Sequence, residues 1–364
     1  MANSKEHELQ YPLGDQLPAL GSTLDVAPGV KWVRMGLPFA LDHINLWLLR
    51  DRLEDAQGGL REGWAIVDCG ITNDATRSAW EQVFDEHLEG LPVLRVIVTH
   101  MHPDHIGLAH WLTEKWSTPE QPCRMWISGT DWNAARMASR STIGHGGQAA
   151  ADFFGSHGLT DPQALEKVRQ RSNYYGSMVP SVPDQYRRLL DGQVLTIGDH
   201  RWRCISGYGH APEHIALYSE SQQLLISGDM VLPRISTNVS VIDLEPEANP
   251  LALYLQSLDR YEALAEDALV LPSHGRPFKG LRRRIAQLRE HHHERLADTM
   301  RRCAASPASA ADLLSVLFRP NLDLHQTTFA MGEAVAHLHA LWQRGELVRR
   351  RGADGVWRFS PVTH

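Results

Sequence analysis

The stretch Thr99-His100-Met101-His102-Pro103-Asp104-His105 constrains this chain more than any other feature. Three imidazoles and a carboxylate fall within six residues, directly after the apolar run 94–98, which reads as a buried strand. His100 and His102 stand two apart, so an extended backbone projects both to the same side. Pro103 and Asp104 turn the chain, which lets Asp104 and His105 face a neighbouring point. One loop can then serve two adjacent metal ions.

Further downstream, His210 lies in Ser206-Gly207-Tyr208-Gly209-His210-Ala211-Pro212-Glu213-His214, Asp229 in Ile226-Ser227-Gly228-Asp229-Met230, and His274 in Leu271-Pro272-Ser273-His274-Gly275. Each follows a strand-like segment, so all gather at strand ends, where loops on a rigid sheet carry chemistry. Imidazole with carboxylate suits Zn²⁺ first, with Fe or Mn also compatible. The set lacks cysteine, which argues against a closed structural zinc site. Among 20 histidines chance makes pairs. It rarely makes a cluster after a strand followed by three more such turns.

The pattern HxHxDH, with His210, Asp229 and His274 after it and Asp68 at an earlier strand-to-turn junction, resembles the metallo-β-lactamase superfamily over about residues 32–274. The resemblance implies an α/β fold, the four-layer αββα sandwich, with two divalent ions at one edge. It implies that His100, His102 and His210 hold one ion, that Asp104, His105 and His274 hold the other, and that Asp229 bridges them. Asp104 and His105 would be the catalytic members of the loop. Asp68 would tie the loop down by hydrogen bonds. A shared hydroxide would attack the substrate. Where the family often has two glycines after the last loop histidine, this chain has Gly107-Leu108, a difference in helix packing and not in ligation.

Length supports two units. A catalytic domain would cover 1–275, with an insertion or lid at about 130–190. Helical stretches 281–303, 308–318 and 326–344 and the hairpin 347–351/356–359 would form a C-terminal domain, 276–364. That element order resembles the winged-helix domain of a subgroup similar to a mitochondrial β-lactamase-like endoribonuclease. Within the catalytic part, strands are expected at 30–37, 44–50, 64–67, 94–98, 124–127, 194–197, 201–206, 215–219, 224–226 and 268–271. Helices are expected at 73–87, 104–116, 131–139, 162–171 and 251–264.

The charge is uneven. From Arg276 onward there are 15 Lys+Arg against 8 Asp+Glu, and before it 21 against 35. An acidic body disfavours long polyanions near the metals. A basic tail admits a nucleic-acid surface, yet the helix 326–344 that would read it carries little positive charge. The leading function is therefore hydrolysis of a carbonyl substrate (ester, thioester, lactone or amide). A phosphodiesterase or endoribonuclease is the alternative, and a non-catalytic binding protein is disfavoured by the filled ligand set. The partner is then a small-molecule substrate, with nucleic acid less favoured, no membrane and a possible homodimer.

Cys69, Cys123, Cys204 and Cys303 are widely spaced and read as reduced, packed thiols. No apolar run reaches membrane-spanning length and the N-terminus lacks a secretion signal, which gives a cytoplasmic expectation. Tyr208 and Arg234, each near a metal position, are candidate substrate contacts, with Tyr174 and Tyr175 behind them. His291, His292 and His293 read as solvated helix positions, His214 as a supporting residue, and His337 and His339 as facing apart. His145 and His157 in the insertion are weaker candidates for reaching the site.

Overall fold

The computed structural model describes residues 3–54, 58–142, 144 and 146–363. Two sheets face each other. The first runs β1 (Thr23–Ala27), β2 (Val30–Gly36), β3 (His43–Glu54), β4 (Leu60–Val67), β5 (Val93–Ile97), β6 (Arg124–Ser128) and β7 (Tyr186–Leu189) in spatial order, antiparallel as far as β4 and parallel beyond it. The second comprises β8 (Val194–Ile197), β9 (His200–Gly207), β10 (His214–Ser219), β11 (Leu224–Gly228) and β12 (Leu269–Pro272), in the order 12-11-10-9-8. A separate hairpin pairs β13 (Leu347–Arg351) with β14 (Trp357–Pro361).

The layer between the sheets is mostly apolar, with the buried Arg95–Asp51 ion pair reaching the Thr196 carbonyl and the Gly198 N–H of the second sheet. Trp32 and Trp47 are direct cross-strand partners and stack at 6.1 Å. They pack with Val67, Ile97, Trp202, Leu217 and Leu271 from both sheets. The outer face of the first sheet is covered by helices Asp74–His87, Ala109–Trp116 and Gly129–Arg140, and that of the second by Pro250–Glu262 and Leu281–Ala305. This is the αββα arrangement. Helices Leu281–Ala305, Ala310–Leu317 and Leu324–Gln343 and the hairpin follow in that order. All four cysteines are free and buried. No helix among the described residues is long and apolar enough to cross a membrane.

Several expectations need correcting. The helix expected at 104–116 is two pieces, Pro103–Ile106 and Ala109–Trp116. The Leu108 N–H donates to the Gly70 carbonyl (3.2 Å), and a Cβ at Gly107 would lie 2.7 Å from that same oxygen, so contact with the neighbouring turn breaks the helix. The run before His100 is not purely apolar. Arg95 sits inside it, fully buried, and its guanidinium grips Asp51 at 2.6 and 2.8 Å. Strands β1 and β7 and the helix Gly147–Ser156 were not anticipated. Strand β7 takes Tyr186–Leu189 out of the expected insertion and makes it the edge of the main sheet.

Candidate metal centre

The site forms where strand ends from both sheets meet. After β4, Asp68 turns the chain with φ +62°, a left-handed conformation that aspartate tolerates better than most residues. Its N–H donates to the Ile97 carbonyl (2.8 Å), which fixes it beside β5. Its carboxylate accepts from the Thr99 N–H, the Thr99 hydroxyl and the His105 Nδ1–H, each at 2.8 Å. The Cys69 N–H holds the His105 carbonyl (2.7 Å). The metal loop is thus bound to the end of β4.

The second sheet brings the other groups. His210 follows β9, Asp229 follows β11 and His274 follows β12. Gly228 must be glycine. Its φ is +52°, and a Cβ there would lie 2.1 Å from His214 Nε2. That imidazole nitrogen accepts the Asp229 N–H at 3.2 Å, so His214 supports Asp229 from beneath.

The ligand atoms converge. His100 Nε2 lies 2.9 Å from His102 Nδ1 and 3.2 Å from His210 Nε2. On the other side, His274 Nε2 lies 3.4 Å from Asp104 Oδ2, and His105 Nε2 lies 3.7 Å from the same oxygen. Asp229 stands between the two trios. Its Oδ2 is 3.3 Å from His210 Nε2, and its Oδ1 is 3.5 Å from both His105 Nε2 and His274 Nε2. Three groupings could each hold a cation: His100, His102 and His210; His100, His105 and Asp229; Asp104, His105 and His274.

The tautomers suit this use. The Nδ1–H groups of His210 and His274 donate to the Asn238 and His43 carbonyls, both at 2.7 Å, while that of His105 is taken by Asp68. Each of these rings therefore turns its Nε2 to the centre. His105 Nε2 and Asp229 Oδ1 are buried and have no hydrogen-bond partner, an arrangement that a cation would satisfy.

Charge follows position. Burial opposes the charged form of His105, but Asp68, Asp104 and Asp229 overcome it and raise its pKa to about 9. His274 is pushed well above its usual value, with Asp229 the main opponent of burial. Burial would raise Asp104, yet His105 and His274 bring it down to about 2. For His100 and His102 burial dominates, aided by neighbouring imidazoles. His102 falls to about 3 and His100 lies well below its normal value. His100 and His102 are therefore neutral bases, whereas Asp104, His105 and His274 form an ion-paired set that holds protons until a cation displaces them.

The remaining candidates distribute differently. Tyr208 packs under Arg260, 5.9 Å from its guanidinium, with its N–H on Ser257. Arg234 is 69% exposed and turns toward Glu6, so no metal group meets it. The Tyr175 hydroxyl donates to the Met101 carbonyl, and the Tyr174 hydroxyl meets His325 Nδ1 at 2.7 Å. His157 does not reach the centre. It is buried against Phe153 and His339, with Nδ1 on the Phe153 carbonyl. His145 lies outside the described residues. His292 is not solvated but fully buried, its Nδ1 3.4 Å from His337 Nε2. His337 and His339 bond different carbonyls, of Glu333 and Ala248.

Sequence reasoning overlooked Asp131. It is fully buried, and it accepts the Met101 N–H at 2.7 Å through Oδ1 and the Glu213 N–H at 2.6 Å through Oδ2. It thereby joins the His100–His105 loop to the His210 loop. The available signal was Ser128-Gly129-Thr130-Asp131 after a strand, a helix-start pattern. The Ser128 hydroxyl does accept the Asp131 N–H (3.1 Å).

Residues 44–274 match the profile described as the metallo-beta-lactamase superfamily, and residues 296–362 match the metallo-beta-lactamase-like C-terminal domain. The chain belongs to the metallo-β-lactamase superfamily. A crystal structure of a β-lactamase domain protein from Burkholderia ambifaria is 57% identical, with a TM-score of 0.91 over 99% of this chain and 100% of that one. A probable metallo-hydrolase of Bacillus subtilis, YqjP, is 24% identical over 85% of this chain and 91% of its own length. The acyl-coenzyme A thioesterase MBLAC2 of Gallus gallus is 24% identical over 69% of this chain and 79% of its own. This superfamily member is a hydrolase with a His/Asp cluster suited to divalent metal.

Proposed function

We propose that the chain is a binuclear metal-dependent hydrolase of carbonyl substrates, and that a thioester is the first class to test. The observation that carries the reading is the placement of Asp229, with one carboxylate oxygen toward His210 and the other toward His105 and His274. His100, His102 and His210 would hold one ion, Asp104, His105 and His274 the other, and Asp229 both. Zn²⁺ fits the donor set best. Bound ions would supply a water acidified toward neutrality and positive charge for the developing oxyanion.

The chain's own residues supply order. Asp68 and Thr99 fix the His105 ring, and the His43 carbonyl fixes His274. Aromatic side chains stand beside the loops that carry the candidate ligands, Phe39 ahead of His43 and Tyr174 next to Tyr175, whose hydroxyl donates to the Met101 carbonyl. Phe39 lies flat on His325 with ring centroids 5.6 Å apart, and Tyr174 meets the same imidazole. Such surroundings suit an organic substrate better than a polyphosphate. The thioesterase activity of the Gallus gallus relative supports the choice of thioester.

The nucleic-acid alternative loses ground on charge. Several arginines of the C-terminal unit, which we read as winged-helix-like, are engaged: Arg282 with Glu266, Arg289 with Glu262, Arg349 with Glu247 and Arg358 with Asp354. Arg284 is buried on two backbone carbonyls. These ion pairs neutralise part of the unit's basic excess.

Metal analysis should find about two ions per chain. A panel of acyl thioesters, lactones, carboxylic esters, alkyl sulfates and a bis-aryl phosphate diester tests the class. Turnover of the phosphate diester alone would overturn the carbonyl reading. His102→Ala should abolish turnover, and undiminished activity in that variant would sink the metal mechanism.

A further inference from the structure

The helix Leu324–Gln343 crosses the site with a single face. His325, Thr328, Phe329, Gly332 and Glu333 fall at the spacing of one helical stripe. At one end His325 stacks on Phe39, in the loop that leads to His43, whose carbonyl holds His274. About 12 Å further along, at 1.5 Å per residue, Gly332 and Glu333 meet the loop 237–241.

That loop serves two ligands. The Thr237 hydroxyl donates to the Asp229 carbonyl (2.5 Å), and the Asn238 carbonyl accepts the His210 Nδ1–H (2.7 Å). Its other side is strapped to the helix. The Val241 N–H donates to the Gly332 carbonyl at 3.1 Å, and the Asn238 side-chain amide donates to Glu333 Oε2 at 3.4 Å. The Ser240 hydroxyl closes the turn by donating to Asn238 Oδ1 (2.9 Å). Glycine in mid-helix costs about 1 kcal/mol relative to alanine. Here it has a reason: a Cβ at 332 would lie 2.8 Å from Ser240 Cβ and 3.1 Å from the Val241 carbonyl oxygen.

We infer that Gly332 and Glu333 are positioning residues for the metal centre, so that the C-terminal helix sets the affinity of the three-histidine site by holding the loop that orients His210. The inference rests on the two-ion reading above. It does not concern the Asp104, His105 and His274 trio, which other elements hold.

The test measures Zn²⁺ affinity by chelator competition, with Co²⁺ absorption to tell a three-imidazole site from one containing carboxylate. Glu333→Ala and Gly332→Ala should each weaken one of the two ions by about 10-fold or more, the usual scale for a lost outer hydrogen bond. The second ion, which shares only Asp229 with this loop, should weaken clearly less. Glu333→Gln keeps an acceptor for Asn238 and should match the wild type, as should Arg358→Ala, a change in an exposed pair of the same domain.

Gly332→Ala is informative because intrinsic propensity would make the helix stronger while the contact is spoiled. Unchanged affinity in both alanine variants overturns the inference. Equal weakening of both ions, in step with a lower unfolding midpoint of the metal-free protein, also overturns it, since the role would then be general stability. A wild type that holds one ion would defeat the two-ion reading, while the variants' effect on that ion would still decide the inference.

Discussion

Replacing Asp131 separates the stability of the fold from the geometry of the metal site. Asp131→Ala leaves the buried N–H groups of Met101 and Glu213 without their carboxylate. Each such orphan costs about 1–3 kcal/mol, hence about 2–6 kcal/mol together. A second effect opposes this. Burial raises the Asp131 pKa from 3.8 to about 6, although both backbone donors and Ser128 favour the ionised form. A pKa raised on folding gives stability that is complete below the unfolded value and is lost as pH rises through the folded one. Wild type should therefore lose about 3 kcal/mol from this group between pH 4 and pH 6.5. Neither Asp131→Ala nor Asp131→Asn has that proton to lose.

Denaturant unfolding with chelator present, so that metal occupancy does not enter, should show the alanine variant about 2–6 kcal/mol weaker near pH 4. That deficit should shrink by about 3 kcal/mol by pH 7, with Asp131→Asn between the two proteins at the acid end. At pH 7 the zinc affinity of Asp131→Ala should still be about 10–100-fold lower, because the loops bearing His100 and His210 are no longer joined. A deficit that stays constant from pH 4 to pH 7 would refute the electrostatic part of the reasoning. Wild-type zinc affinity in the alanine variant would refute the geometric part.

Metal binding at pH 7 should release about two protons, because His105, near 9, and His274, well above its usual value, carry them in the metal-free protein. Affinity should accordingly rise with pH up to about 9, and calorimetry in buffers of different ionisation enthalpy counts the protons. Arg95→Ala should cost about 3–5 kcal/mol by leaving Asp51 buried and uncompensated, read from denaturant midpoints. Replacing both Arg95 and Asp51 with apolar residues should recover most of that loss, and a double variant as weak as the single one would contradict this account.

The ligand-bearing loops were legible because chemistry and pattern coincide in them: short apolar strands deliver histidine or aspartate into glycine turns. The parts that were not legible depend on contacts between distant segments. Tyr186-Arg187-Arg188-Leu189 is too polar to read as strand and becomes one by pairing with Met125–Ser128 of β6. Strand β1 is an edge with no fully buried residue, and its alternation, Thr-Leu-Asp-Val-Ala, is only five residues long. The helix Gly147–Ser156 begins among glycines that suggest a joint, and is held by Ala150, Ala151 and Phe154 in the core. Asn238 carries no motif, and the helix-start pattern at Ser128–Asp131 does not reveal what the Asp131 carboxylate holds. Asp131 matters through the backbone N–H of Met101, 30 residues away, and Asn238 through its own carbonyl on the His210 ring, 28 residues away. His292 reads as solvated because its neighbours are charged, yet two other helices close over it through Tyr254 and His337.

The ligand set is divided between the two sheets, with His100 to His105 on one and His210, Asp229 and His274 on the other. Cations seated there act as rivets along the open lip of the sandwich. A chain stripped of them should exchange its amide hydrogens fastest along that lip, and the far edge, clamped by Arg95 and Asp51, should stay protected.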